Sequence, residues 1–453
     1  MITPRPRVSA LRKLAGWLEG WETVCFVLSL CLLAFLYGLA AGVYKIFPYS
    51  AAESLAEAGV DWVEYPAHNA GLRPGKFLSP AEPAGFRLVT LVPEKAYEGV
   101  TFIEGFFGES LGLQLLDMDG RVIHEWHVAF NEIWPEAPHL EKKPDDWDTQ
   151  IHGSILYPNG DVIFNFQYGG LVRIDECSRV QWQLSHMTHH SIYEASDGNL
   201  WVPGRQTREE SVPRFPKIPP PFEEELILEI SPDGRILRQI SVLDVIFRSG
   251  YEGVLFSNGA HEAEIQVPLG GDFAHLNDIE ILEPPMAAAF PLFEPGDIMI
   301  SLRNLNLLLV IDGKSERVKW SQTGPYLRQH DPDFLPNGRI SIFDNRRDGA
   351  EGTVFGGSRI LELDPTSGQA ITVYGGNEEE MFYTETMGDH QRLPNGNILI
   401  TESKPGRVFE DTAQGERVWS FINLWDEDEA ALVSRAIRYP EGYADFAESS
   451  SCD

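Results

Sequence analysis

Past residue 98 the chain alternates between two short patterns of apolar and polar positions. In one, a turn leads into alternating apolar residues: YPNGDVIFNF, ASDGNLWVPG, EPGDIMISLR, LPNGRISIFDN and LPNGNILITES. In the other, two apolar runs flank an acidic or polar turn: LQLLDMDGRVIHEW, GLVRIDECSRVQWQL, LILEISPDGRILRQI, LLLVIDGKSERVKWS, ILELDPTSGQAITVY and RVFEDTAQGERVWSF. Asn-Gly or Asp-Gly between runs of period two is a strong hairpin signal. The six copies of the second pattern, from Asp117 to Asp411, recur about every 59 residues, room for four strands and a loop. Regular hairpins at that period predict an all-β fold, a six-bladed β-propeller with one four-stranded sheet per blade. Trp126, Trp182, Trp320 and Trp419 recur late in the second pattern and are expected to pack between blades. The first copy has no Asn-Gly partner upstream. Closure is therefore expected to pair the strand near residues 98–116 with the last blade.

The N-terminal pattern differs. Residues 24–43, VCFVLSLCLLAFLYGLAAGV, carry no charge, a length that spans a hydrocarbon core of about 30 Å as a helix. Arg5, Arg7, Arg12 and Lys13 precede it and only Lys45 follows closely, which places the N-terminus in the cytoplasm and the body outside. Trp17, Trp21, Tyr44 and Tyr49 suit interfacial anchors. A cleaved secretory signal is the alternative; the length of the apolar run favours a retained anchor. The chain then divides into a cytoplasmic segment (1–23), a transmembrane helix (24–43), a Pro/Gly/Ala-rich tether and closing segment (44–97), the propeller (98–440) and a C-terminal tail (441–453). The localisation expected is the cell membrane, single-pass, with the propeller extracytoplasmic.

Charge narrows the partners. A net charge of −32 argues against nucleic acid, whose phosphates require a basic face. Long-range steering of an anion is unfavourable, but screening confines that effect to roughly 8 Å at physiological salt, so positive groups local to a pocket can prevail. Of four cysteines, Cys25 and Cys31 fall in the apolar stretch, and no metal-binding spacing appears. A Cys177–Cys452 bridge is left open.

The chemistry is carried by histidines. His152, His190 and His330 each lie eight residues before a turn glycine, at Gly160, Gly198 and Gly338. His275 opens the similar HLNDIEILEP, whose turn follows an insertion. A constant offset in a repeat means a constant place in the fold. Around a propeller axis it brings four imidazoles to the central channel, a site for an anion, a metal or covalent chemistry. His390 lies six residues before its glycine and is assigned either to the channel or to a structural bond. His186 and His189 precede a channel strand, where His189 competes with His190. His124 and His127 are expected on the surface.

THHSIYEASDG, HLNDIEIL, DIMISLRNLNLLLVID, GPYLRQHDPDFLPNGRISIFDN and GDHQRLPNGNILITES together resemble the bacterial arylsulfotransferase family, periplasmic enzymes that work without PAPS on a six-bladed propeller. The resemblance covers roughly residues 100–440. The Gln-His ahead of a Leu-Pro-Asn-Gly turn and Asp-Asn is its most specific part. It implies a nucleophile, His330, that becomes sulfated, with His190, His275 and Arg303 holding the sulfate. It also implies an aryl sulfate donor, a phenolic acceptor and no cofactor or metal. The apparent anchor and short tether depart from the family's secreted enzymes, with their cleaved signal and N-terminal β-domain, and the paired cysteines of some members are absent.

The residue types agree with that chemistry. Sulfuryl transfer resembles phosphoryl transfer, with charge on peripheral oxygens. Neutral imidazole is a nucleophile near neutral pH, and the planar fork of Arg303 can hold two sulfate oxygens. Asp331 can orient an imidazole, take the acceptor's proton or cap a turn; Asn277, Asn304 and His152 are candidates for polar support. Three other readings compete: a calcium-dependent propeller hydrolase using Asn277-Asp278, a redox or metal-binding propeller, and a non-catalytic, membrane-tethered interaction module. Physiological donor, acceptor and oligomeric state are not encoded legibly.

Overall fold

The computed structural model describes residues 9–44, 68, 74–81, 88–108, 110–215, 218, 220–255, 272–376, 381–449 and 452. The chain divides into two compact units, residues 1–76 and 77–453. In the first, one helix runs over Ser9–Tyr44. Its Thr23–Gly42 portion, 20 residues of mean hydropathy 2.5, has the length and composition shared by membrane spans and signal sequences. Residues 45–67 and 69–73 of the expected tether, and Arg5 and Arg7, lie outside the described residues.

The second unit is a six-bladed β-propeller of antiparallel sheets. From innermost to outermost strand, blade 1 is Val433–Tyr439, Val100–Phe107, Ser110–Leu116 and Val122–Trp126. Blade 2 is Ile151–Leu156, Val162–Phe166, Gly170–Ile174 and Val180–Leu184. Blade 3 is Tyr193–Glu194, Leu200–Arg208, Phe222–Ile230 and Ile236–Ser241. Blade 4 is Leu276–Ile281, Ile298–Leu302, Leu307–Ile311 and Val318–Thr323. Blade 5 is His330–Phe334, Ile340–Asp344, Arg359–Asp364 and Gln369–Gly375. Blade 6 is Asp389–Arg392, Ile398–Glu402, Arg407–Asp411 and Arg417–Ile422.

Each middle strand is buried on both faces, so its two side-chain rows serve two different interfaces. In Ile298–Leu302, Ile298, Ile300 and Leu302 pack with blade 3, while Met299 packs with blade 5. Six apolar clusters fill the six junctions between blades. The recurrent tryptophans do pack there, and each also latches its blade to the next. The indole N–H groups of Trp126, Trp182, Trp320 and Trp419 donate to the carbonyls of Gly160, Pro232, Pro365 and Met118, each 3.0–3.1 Å away. Blades 3 and 5 lack the tryptophan and use Arg238 to the Gly313 carbonyl and the Tyr374 hydroxyl to Asp411 instead.

Closure differs from the sequence expectation. Val100–Phe107 pairs with the C-terminal strand Val433–Tyr439, which becomes the inner strand of blade 1. The strand added to the last blade is Leu88–Leu91, from the segment counted with the tether; it forms a fifth, outer strand against Arg417–Ile422. Leu78–Pro80 pairs with Glu429–Ala431. Such pairings join residues more than 300 positions apart and leave no local signal. Arg438 of the closing strand is buried and pinned to Thr101, Tyr97 and Glu410, with its guanidinium over Trp419. The bridge left open forms: Cys177 and Cys452 are disulfide-bonded, tying the tail helix Asp445–Ser449 to blade 2.

Candidate active site

Residues from the inner strands of all six blades line one axial chamber, among them Gly153, Tyr193, Asp278, Asp331, Asp389 and Arg435. The chain enters these strands through left-handed backbone at corresponding places: Gly153, His190, His275, Asp331 and Gly388 all have positive φ. For non-glycine residues this conformation is strained and persists only where the surroundings over-determine it. At Gly153 a side chain is sterically excluded as well, because a Cβ would stand 2.0 Å from the His190 carbonyl oxygen. In five of the six blades a left-handed residue thus marks the entry to the inner strand, at the histidine itself for His190 and His275 and one residue after it for His152 and His330.

Three of the four expected histidines touch in series. The rings of His152 and His190 have centroids 4.3 Å apart, and those of His190 and His275 4.8 Å. His190 and His275 face each other through Nε2 atoms 3.1 Å apart. His189 stands behind this pair, with Nδ1 2.8 Å from His190 Nδ1. His275 Nδ1 is hydrogen-bonded to Asp272 Oδ2. Burial holds all of these rings neutral: His152 and His189 are lowered to about 3, and His190 and His275 are lowered too, with the other imidazoles and Arg303 adding to the effect.

His330 lines the chamber with His152, and its protonation state can be deduced. Its Nδ1 lies 2.6 Å from Asn345 Oδ1 and 3.1 Å from the Arg328 carbonyl, and both partners are acceptors. Asn345 cannot be turned around, because its Nδ2 donates to the carbonyls of Thr384 and Met387 at 2.9 and 2.6 Å. The ring proton is therefore on Nδ1. Nε2 keeps its lone pair, which among the described residues accepts from the Met387 N–H at 3.3 Å. Burial, then the nearby Arg303 charge, depress the ring's pKa well below the usual histidine range.

Arg303 begins a short turn after the second strand of blade 4, and its backbone N–H donates to the His275 carbonyl. Its guanidinium donates to Thr386 Oγ1 at 3.3 Å, one residue from the Met387 N–H that faces His330. Burial and the neighbouring Arg328 lower its pKa to about 10, and it remains a cation at neutral pH. Asn304 ties this corner together: its Nδ2 donates to the Asp272 carbonyl at 2.6 Å, and its Oδ1 accepts from Arg328 at 2.6 Å.

The remaining candidates divide. Asn277 is buried and donates through Nδ2 to the Gln329 carbonyl, which fixes the residue before His330. Asp331 points its chemistry at His390 and not at His330, accepting from the His390 backbone N–H and Nδ1 at 2.8 and 2.7 Å. His390 also contacts Ser341 through Nε2, so it holds a structural bond. His127 is exposed as expected, while His124 is half-buried against the Glu176 carbonyl.

The chamber is also acidic, which the sequence reading did not anticipate. Asp278, Glu280, Asp331, Asp333 and Asp389 line it with one cation, Arg435, bonded to Asp389 at 2.6 Å. Burial and then their mutual repulsion raise Asp278 to about 8 and Asp389 to about 6, and push Glu280 and Asp333 well above the carboxylate range. Asp331, Asp333 and His390 bring ligand-capable atoms within 4.8 Å of one another. The strand pattern HDPDF is the signal that could have found them, since alternate residues share a face.

Solved structures similar in shape include a protein of unknown function from Bacteroides caccae (13% identity over 75% of this chain and 98% of that one, TM-score 0.46). A streptogramin B lyase is similar at 11% identity, 80% and 98% coverage and TM-score 0.39. Scores this low carry no argument. No curated protein matches the chain. The profile of the arylsulfotransferase (ASST) family matches residues 153–424, which take in His190, His275, Arg303 and His330 and begin one residue after His152. That is more than half of the sequence, and the chain belongs to this family.

Proposed function

We propose that this protein is a membrane-anchored, PAPS-independent aryl sulfotransferase working through a sulfated His330. The observation that carries the reading is the fixed tautomer of His330, with the proton on Nδ1 held by Asn345 and a lone pair on Nε2. Nε2 attacks the sulfur of an aryl sulfate, the S–O bond to the ring breaks, and phenolate leaves. The sulfated imidazole keeps its Nδ1 proton and is cationic, which makes it a good leaving group. A second phenol then loses its proton and attacks the sulfur, the S–N bond breaks, and neutral His330 returns. Arg303 and the His190–His275 pair are the donors for the sulfate oxygens, a role commonly worth about 10²–10³ in rate per donor. The neutral imidazoles of the cluster are the bases available for the proton.

Two features favour a body outside the cytoplasm. Basic residues precede the apolar helix, and the Cys177–Cys452 bridge is stable only in an oxidising compartment.

Incubation with 4-nitrophenyl sulfate should leave a mass increment of roughly 80 Da, the covalent intermediate expected of a nucleophilic mechanism. His330→Ala should abolish both the increment and turnover. A fully active His330→Ala protein refutes the mechanism, and a reporter placing the propeller in the cytoplasm refutes the orientation.

A further inference from the structure

His189, His190 and His275 are not three independent imidazoles. They form one hydrogen-bonded file: His189 Nδ1 to His190 Nδ1 at 2.8 Å, His190 Nε2 to His275 Nε2 at 3.1 Å, and His275 Nδ1 to Asp272. A neutral imidazole has one N–H and one lone pair, so one end of the file dictates the rest. The carboxylate of Asp272 can only accept, so His275 carries its proton on Nδ1 and presents a lone pair at Nε2. His190 must then donate from Nε2 and accept at Nδ1, and His189 must donate from Nδ1. At the far end His189 Nε2 is left with a lone pair. Glu225 Oε2 lies 3.1 Å from it, and burial keeps that carboxyl protonated, raised to about 8.

In this state the two Nε2 atoms that face each other are committed to each other. The pair shows an incoming anion one spent N–H and one lone pair, and the lone pair repels it. Only one added proton, on His275 Nε2, converts both positions into donors. Asp272 is already in place to stabilise the imidazolium so formed: against the burial that would raise it, its bond with His275 holds its carboxyl down at about 2. Arg303, His152 and His189 oppose the added charge on His190 and His275, while Asp272 and Glu225 favour it. The phenolic ring of Tyr168 covers His189 and His190 from the neighbouring strand turn, and Arg205 and Glu223 face His189.

We propose that Asp272 and His189 are positioning residues that couple anion binding at the His190–His275 pair to the uptake of one proton. This rests on reading the pair as the sulfate subsite, and extends it with the two residues that set its protonation.

The test is calorimetric titration of the full-length chain with inorganic sulfate, in two buffers of different ionisation enthalpy. The expected result is uptake of about one proton per sulfate at pH 8, with affinity falling up to tenfold per pH unit above the file's apparent pKa, the slope of a one-proton linkage. Asp272→Asn keeps an acceptor for His275 Nδ1 but removes the charge. It should move that fall in affinity to lower pH by about one unit or more, because an opposite charge at this range shifts a pKa by about 1–3 units. His189→Gln, which can still donate to His190 Nδ1, should bind sulfate as the parent does; His189→Leu should bind it at least tenfold more weakly. Sulfate binding without proton uptake, an unmoved pH limb in Asp272→Asn, or no sulfate binding at all overturns the proposal. Turnover is not the readout. An active transferase that takes up no proton sinks this inference alone, and an inactive protein that takes it up sinks only the transferase reading.

Discussion

Asn345→Ala should cost this protein both stability and rate, and the two can be separated. Asn345 is fully buried and makes three hydrogen bonds: it accepts from His330 Nδ1 and donates to the Thr384 and Met387 carbonyls. Leaving two buried carbonyls without a donor destabilises the chain by about 2–4 kcal/mol. The catalytic effect comes from the third bond. When the ring is sulfated it is cationic, and a hydrogen bond from a charged donor is worth about 1.5–3 kcal/mol, or roughly 10- to 150-fold in rate. The Arg328 carbonyl remains 3.1 Å from Nδ1 and preserves part of the orientation, so about 30-fold is expected. The loss should fall on kcat more than on KM, since the charge exists only once sulfur has moved. The assay is initial-rate kinetics with 4-nitrophenyl sulfate and phenol, following nitrophenolate. Asn345→Asp provides a contrast: a carboxylate at Nδ1 should raise the His330 pKa by about 1–3 units and move the acid limb of kcat/KM upward. A folded Asn345→Ala protein with parental kcat would refute the argument that this contact sets the nucleophile.

Arg303→Ala should slow transfer by about 10²–10³ while leaving the melting temperature within a few degrees, because the side chain is bonded chiefly to Thr386 and Asn304 at the corner of the site. A tenfold smaller loss would mean that Arg328 carries the anion instead. Cys177→Ser opens a loop of 275 residues, for which chain entropy gives up to about 5 kcal/mol; thermal melts with and without reductant should separate parent from variant, and an unchanged parent under reductant counts against the bridge. Asp278→Asn tests the acidic chamber. A carboxyl raised to about 8 in the folded state contributes stability that is fully present below the unfolded pKa near 4 and is lost as pH rises through 8. The variant should therefore gain stability over the parent between pH 5 and pH 8, by about 2 kcal/mol once relaxation is allowed for. Parallel pH profiles for the two proteins would show that Asp278 is not protonated.

The blades were legible because each is built from hairpins whose turn chemistry is local. His152, His190 and His330 were legible because they stand at one offset from those turns, and His275 because its segment resembles theirs. What stayed hidden depends on distance in sequence. The pairing of Val100–Phe107 with Val433–Tyr439 has no periodic signature, and neither does the meeting of Cys177 with Cys452. Asn345 was visible as the end of a specific motif, but its role was not, since that requires knowing that residues 384–387 fold over it. Asp272 follows a stretch without pattern, so nothing marked it as the anchor of the file. Asp331 was misdirected by adjacency. It follows His330 in sequence, but its positive φ breaks the strand there and its carboxylate serves His390 in the next blade.

The chamber thus brings acids, imidazoles and cations together on the axis. His152 and His330 line the chamber together with five carboxyls and Arg435, while Arg303 adds its charge to the surroundings of His330. A protein of net charge −32 repels an anionic substrate at long range, so recognition has to be local, at a place where anionic side chains are kept neutral or distant. Burial does the first for Asp278 and Glu280, raising both toward their protonated forms. The same burial that suppresses those charges keeps His330 unprotonated and nucleophilic. One physical cause, desolvation on the propeller axis, therefore acts with opposite sign on acids and bases, and leaves Arg303 as the cation nearby that His330 feels.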